Sequence, residues 1–187
     1  MFTYGGTQLA SSFRSVRANT ITIAEEIPED KYGYRPVPDV KSVGEQLAHI
    51  AIATDWQTEL HGNRVTHIDY AMFGTHVARS AAEEQGLNTK AAIIAALRSG
   101  GERFATFLEA AGDDLLAEEV TFPPQVQPSV RTRFEMLQAA KEHEMHHRAQ
   151  LMVYERLLGI VPHLTRRRAA SAAAAASLTP ATAGAAR

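Results

Sequence analysis

Lys141-Glu142-His143-Glu144-Met145-His146-His147-Arg148-Ala149-Gln150 is a helix-forming stretch with two histidines four residues apart. On an α-helix that spacing sends both imidazoles from nearly the same face. At roughly 100° per residue, His147 lies about 40° from His143, and Gln150, Tyr154 and Met136 lie within about 20° of it. Lys141, Glu144 and Arg148 fall more than about 90° away. The rest of the stripe is Met136, Ala140, Tyr154 and Leu158, so the histidine pair is expected to face the interior. Buried imidazoles need polar partners. A divalent ion supplies one for each. His146, about 60° round, is expected on the flank.

The helix that carries this stretch is predicted from about Thr132 to Leu158, with Gly159 as its cap and Pro162 beyond. Three more long helices are predicted. The first runs from about Thr7 to Ile27 and stops at Pro28. The second opens with Ser42 and Glu45 as a capping box and continues to about Leu60. The third runs from Thr89 to about Ala111, and its Gly100-Gly101 pair marks a kink or a close helix contact. Residues 63–88 show no sustained period, and Asp113 to Arg131 contains Phe122-Pro123-Pro124 and Pro128. Both are expected to be long connections. With no strand alternation, the pattern predicts an all-α four-helix bundle with long second and third connections. The bundle is expected over residues 1–165. Residues 166–187 read as a low-complexity, Ala-rich, disordered tail.

His49 lies on the second helix and shares its stripe with Trp56, Ala53 and Leu60. It is the third inward histidine, and bundles build metal sites from such residues on facing helices. The candidate ligands are His49, His143 and His147. Three neutral imidazoles leave an open position on the ion and suit zinc, nickel, copper or iron alike. Gln150 and Tyr154 share the ligand face and are candidates to hydrogen-bond a substrate or orient a ligand. Glu45 is explained by its capping role, with a metal role as the alternative. Arg148 is expected to point away. His61, His67, His76 and His163 fall in predicted loops or ends and are expected to be solvated.

The 187 residues carry 19 basic and 21 acidic side chains, for a net charge of −2. That balance gives no reason to expect a nucleic-acid or anionic-membrane partner. There is no cysteine, which excludes disulfides and thiolate catalysis by the chain itself. Any thiol in the chemistry must arrive with a substrate. No stretch approaches the ~20 apolar residues of a bilayer span, and the N-terminus does not read as a secretion signal. The expected location is the cytoplasm.

Leu47-Ala48-His49-Ile50, which follows Arg35-Pro36-Val37-Pro38 and the Ser42–Glu45 helix start, resembles one half of a family motif. His143-Glu144-Met145-His146-His147-Arg148-Ala149-Gln150-Leu151 resembles the other half. The family is the DinB/YfiT-like superfamily of four-helix-bundle metalloproteins, and the resemblance covers about residues 5–160. Ala149 stands where many relatives carry Gly, a change of packing only. The resemblance implies ligation by His49, His143 and His147, a divalent ion such as zinc or nickel, and a homodimer. It also implies a small-molecule substrate and transferase or isomerase chemistry with a low-molecular-weight thiol such as bacillithiol or mycothiol. The resulting expectation is a metal-dependent S-transferase acting on a small electrophile. The alternatives are a hydrolase that activates bound water and a non-catalytic, metal-binding dimeric bundle.

Overall fold

The computed structural model of the protein describes residues 4–178. In chain order its elements are α1 (Gly6–Glu26), α2 (Val43–Gly62), α3 (Tyr70–Gly86), α4 (Lys90–Ala110) and α5 (Asp113–Ala117), then strands β1 (Glu119–Thr121) and β2 (Val130–Thr132), then α6 (Arg133–Leu157) and α7 (His163–Leu178). The predicted four-helix bundle is present as α1, α2, α4 and α6. Helices α1 and α2 each pack on both α4 and α6, which sets α4 and α6 at opposite corners.

The helix ends follow the chemistry of the sequence. Ser42 Oγ accepts from Glu45 N–H at 3.3 Å, and Glu45 Oε2 accepts from Ser42 N–H at 2.8 Å. Thr132 and Glu135 make the same reciprocal cap for α6. These bonds satisfy backbone donors that a helix start leaves without partners. At the other end of α6, Gly159 takes a φ of +79°, a left-handed turn that suits glycine.

Among the described residues, three apolar clusters fill the interior. Ile23, Leu47, Ile50, Leu97 and Leu151 pack at one end of the bundle. Phe13, Phe104, Leu108 and Leu137 pack at the other. Leu60, Ile68, Val120 and Met136 form a smaller group that includes the strand segment. A buried ion pair reaches across the bundle. Arg17 Nε donates to Glu144 at 3.0 Å, Arg17 Nη1 donates to Leu97 O at 2.8 Å, and Arg17 Nη2 donates to Ile50 O at 3.3 Å. Thr20 Oγ1 adds a bond to Glu144 Oε1 at 2.7 Å. The Gly100-Gly101 pair is a close contact: a Cβ at Gly101 would stand 2.8 Å from Arg17 Cγ.

The expectation for Glu144 is therefore corrected. It is 2% exposed rather than outward. Helix α6 packs on α1 as well as α2, so its buried arc is wider than the histidine stripe. Arg148 is half-buried too, and its Nη1 donates to Val16 O at 3.4 Å.

The long connections are also more ordered than expected. Residues 63–88 hold the 17-residue helix α3, capped by Asp69, whose Oδ1 accepts from Met72 N–H at 2.7 Å. The segment 113–131 holds α5 and most of the antiparallel β1–β2 pair, which matches Glu119 with Thr132 and Thr121 with Val130. Helix α7 replaces the disordered tail expected from residue 166, as far as Leu178. Alanine is the strongest helix former, so this run needs no buried face. Its side chains from Thr165 to Ser177 are exposed. Residues 179–187 of that tail lie outside the described residues.

Candidate functional site

Helices α2 and α6 pack side by side and bring His49 against His143 and His147. His49 Nε2 lies 3.1 Å from His143 Nε2, and His143 Nε2 lies 3.0 Å from His147 Nε2. One nitrogen from each ring falls within 4.8 Å of the other two. The sequence-predicted triad is thus brought together.

The outer ring nitrogens are held from behind. His49 Nδ1–H donates to Glu84 Oε1 at 2.7 Å, and Lys41 Nζ donates to Glu84 Oε2 at 2.9 Å. His147 Nδ1 lies 3.1 Å from Gln150 Oε1. The Gln46 amide packs against that same Nδ1 and donates to Gln150 Oε1 at 2.5 Å. With its proton on Nδ1, His49 presents a lone pair from Nε2. His143 Nε2 lies between that lone pair and His147 Nε2 and carries at most one proton. Protons can satisfy one of the two contacts, whereas a cation satisfies both. Two nitrogens bound to one ion at ~2.0–2.1 Å lie roughly 2.9–3.4 Å apart for octahedral to tetrahedral angles. The observed 3.0 and 3.1 Å fall in that interval. The donor set and these two spacings fit a divalent transition ion, and the His49–His147 pair lies within 4.8 Å.

Electrostatics favour the ligating form. Burial pushes the His143 imidazole down to about 4, with His147 and His49 adding to the effect. Burial also lowers His147, against the bond to Gln150. Both rings are therefore neutral near pH 7. Burial pushes the Glu84 carboxyl up, but the bonds from His49 and Lys41 outweigh it and hold the group below its ordinary range.

A cavity of ≈ 280 Å³ opens beside His49 and His143 and is walled by Trp56, Gln57, His76 and Glu84 among others. It leaves space on one side of the triad. Trp56 is a wall of this cavity, stacked on His76 with ring centroids 4.2 Å apart, rather than a sealed core residue.

The other candidates have definite places. Gln150 buttresses His147, as above. Tyr154 is buried in the apolar cluster, and its hydroxyl donates to Lys41 O at 3.3 Å. It supports the backbone of the lysine that holds Glu84 and does not line the His49–His143 cavity. Glu45 caps α2 and pairs with Arg35 at 2.5 Å, away from the triad. His146 is exposed and meets Gln150 and the edge of His147. His61 is a correction: it is fully buried, accepts from Arg133 Nη1 at 3.1 Å and donates to Gln57 Oε1 at 3.1 Å. His76 and His163 are likewise half-buried rather than solvated, and His163 Nε2 donates to Asn19 Oδ1 at 3.0 Å.

Sequence reasoning missed Gln46 and Glu84. Gln46 stands one turn before His49, so helical spacing alone could have found it. Glu84 sits on a helix that carries no buried side chain and gives no apolar stripe to read.

Comparison with known proteins agrees with this architecture. The sequence pattern of the DinB superfamily matches residues 12–151. The uncharacterized protein YjoA of Bacillus subtilis strain 168 is 29% identical over 152 residues, spanning 81% of this chain and 90% of YjoA. The crystal structure of the DinB-like protein YjoA from Bacillus subtilis superposes with a TM-score of 0.61 at 26% identity. That superposition covers 81% of this chain and 92% of the other. The matched span contains all three histidines and most of the four long helices, and the chain belongs to the DinB superfamily.

Proposed function

We propose that the protein is a divalent-metal-dependent enzyme that transfers a small thiol onto a small electrophile, with His49, His143 and His147 holding zinc or nickel. One observation carries the reading: three imidazoles converge beside an open cavity while Glu84 holds the Nδ1 proton of His49 and Gln150 braces Nδ1 of His147. A bound ion would supply Lewis acidity that lowers the pKa of a coordinating thiol, whose proton would pass to solvent. The chain contributes the rest. Glu84 fixes the tautomer of His49, and Gln150 helps to orient His147, as partners of ligating histidines do. Lys41 offsets the Glu84 charge, and the Trp56–His76 stack forms one wall of the cavity. With no cysteine in the chain, the nucleophilic sulfur comes from a cosubstrate.

Elemental analysis and metal titration test the site first. The expected stoichiometry is about one ion per chain, lost in His147→Ala and in His143→Ala with the helical circular dichroism retained. Unchanged metal binding in both variants would sink the ligand assignment. The reaction is tested with metal-loaded protein, a low-molecular-weight thiol and a panel of electrophiles. Joint consumption of thiol and electrophile is expected. Turnover with water alone assigns hydrolysis instead, and tight metal binding without turnover of either kind leaves a metal-binding bundle.

A further inference from the structure

Gln57 lines the cavity beside the triad, two turns past His49 on α2 and about 12 Å along the helix from it. A buried chain of hydrogen bonds fixes which way its amide faces. Arg133, fully buried at the start of α6, can only donate. Its Nε donates to Glu118 Oε2 at 2.9 Å and its Nη1 to His61 Nδ1 at 3.1 Å. His61 Nδ1 is therefore an acceptor, and the ring proton sits on Nε2. That proton is donated to Gln57 Oε1 at 3.1 Å. An amide nitrogen cannot accept it, so a flipped Gln57 has no answer to His61.

The remaining amide group is Nε2 of Gln57. It has no partner among the described residues and, unlike the Thr54 hydroxyl of the same wall, it is not enclosed. A helical side chain leans toward the N-terminus of its helix, which from Gln57 is the direction of His49. The polar groups nearby are committed elsewhere. Glu84 is engaged by His49 and Lys41, and Ser80 Oγ by His76 Nδ1 at 3.2 Å. Burial lowers the His76 imidazole, so that ring adds no charge near pH 7. No Lys or Arg lines the cavity. A carboxylate there would meet no unengaged cation, and an ammonium would set N–H against N–H. A neutral oxygen acceptor fits.

We infer that Gln57 is a specificity-determining residue, whose Nε2–H receives a neutral carbonyl oxygen at the end of the substrate remote from the ion. As a statement about the substrate, this rests on the reading of the histidine triad as the reaction centre. The donor and its preference do not need the ion.

Trp56 is the single tryptophan and walls the same cavity, so its indole N–H gives one NMR cross-peak that reports occupancy. The probes are acetophenone, its isostere α-methylstyrene, in which CH₂ replaces the oxygen, and 1-phenylethylamine, charged at pH 7. They are titrated into the full chain with and without zinc. Gln57→Met is expected to lower the ketone-over-alkene affinity ratio about fivefold, the worth of one neutral hydrogen bond. Gln57→Glu keeps an acceptor for His61 but presents a second acceptor to the cavity, and is expected to favour the amine over the ketone. A purely structural Gln57 would lower the denaturant midpoint in both variants and move neither preference. An unchanged ratio in Gln57→Met overturns the inference, and so does absence of ketone binding to the wild-type chain. Gln57 also borders a second cavity, which Phe73 lines and Ser80 does not. Ser80→Leu is therefore expected to weaken acetophenone and Phe73→Ser to leave it, and the reverse result overturns the assignment. Because the zinc-free readings stand alone, loss of the metal reading leaves them intact, and their failure leaves the metal stoichiometry untouched.

Discussion

Glu84 is the side chain on which the proposed site most depends without touching the ion. It joins His49 Nδ1 to Lys41 Nζ across the α2–α3 contact. Glu84→Gln keeps the shape but weakens the acceptor, and metal affinity is expected to fall roughly 10–100-fold in competition titrations. Unaltered affinity would show that His49 is oriented by packing alone. His61 gives a prediction in pH. Burial, with Arg133 beside it, pushes this imidazole down to about 4, below its ordinary 6.5. Between those values the unfolded chain binds a proton that the folded chain refuses, so stability is lost as pH falls from about 6.5 toward 4. Glu155 acts in the opposite sense, because burial and the nearby Glu26 push its carboxyl up to about 7. The measurement is therefore a difference. Denaturant midpoints of wild type and His61→Gln are compared from pH 7 to pH 4.5, and the variant is expected to lose less on acidification. Parallel curves would remove His61 as the cause. At this scale the ligands were legible, because a helix converts sequence spacing into direction. The partners of Arg17 and His61 were not, because those depend on which helix lies opposite.

The elements divide by how they are stabilised. Helix α2 was legible from its capping box and α6 from its inward stripe, and both are present. Helix α3 was not legible, since none of its side chains is buried and Tyr70, Phe73 and Val77 stay about half exposed. Strands of three residues leave no alternation to detect. Helix α3 therefore depends on local terms, and Asp69 is the main one. Asp69→Ala is expected to cost about 0.5–2 kcal/mol, the range for loss of an N-cap. Amide exchange in α3 should quicken while α1, α4 and α6 keep their protection. A loss of protection spread evenly over all helices would mean that α3 is integral to the bundle. Because α3 carries Glu84, the same variant is expected to bind metal more weakly.

At the scale of the molecule, the bundle is organised around the Arg17–Glu144 pair. Arg17 comes from α1, Glu144 from α6, and the two carbonyls that Arg17 also meets come from α2 and α4. Breaking such a buried pair strands a charge. Glu144→Ala is expected to destabilise the chain by about 3–5 kcal/mol, whereas joint replacement by Arg17→Met and Glu144→Leu is expected to come close to neutral. Equilibrium unfolding of the three variants decides it, and a double variant as unstable as the single one would contradict the account. The composition and periods of the sequence were enough for the bundle as a class. The polar centre was hidden, because an Arg and a Glu 127 residues apart carry no mark of being neighbours. Glu144 follows His143 directly and precedes His147 by three positions on the same helix. The ion pair that pins Glu144 thereby indexes α6, so the helix can neither slide nor turn without moving both ligands. If the triad binds its ion as proposed, the ion would meet a socket whose ordering is completed during folding. Chelation would then leave the scaffold standing, unlike the collapse of a zinc finger stripped of its metal.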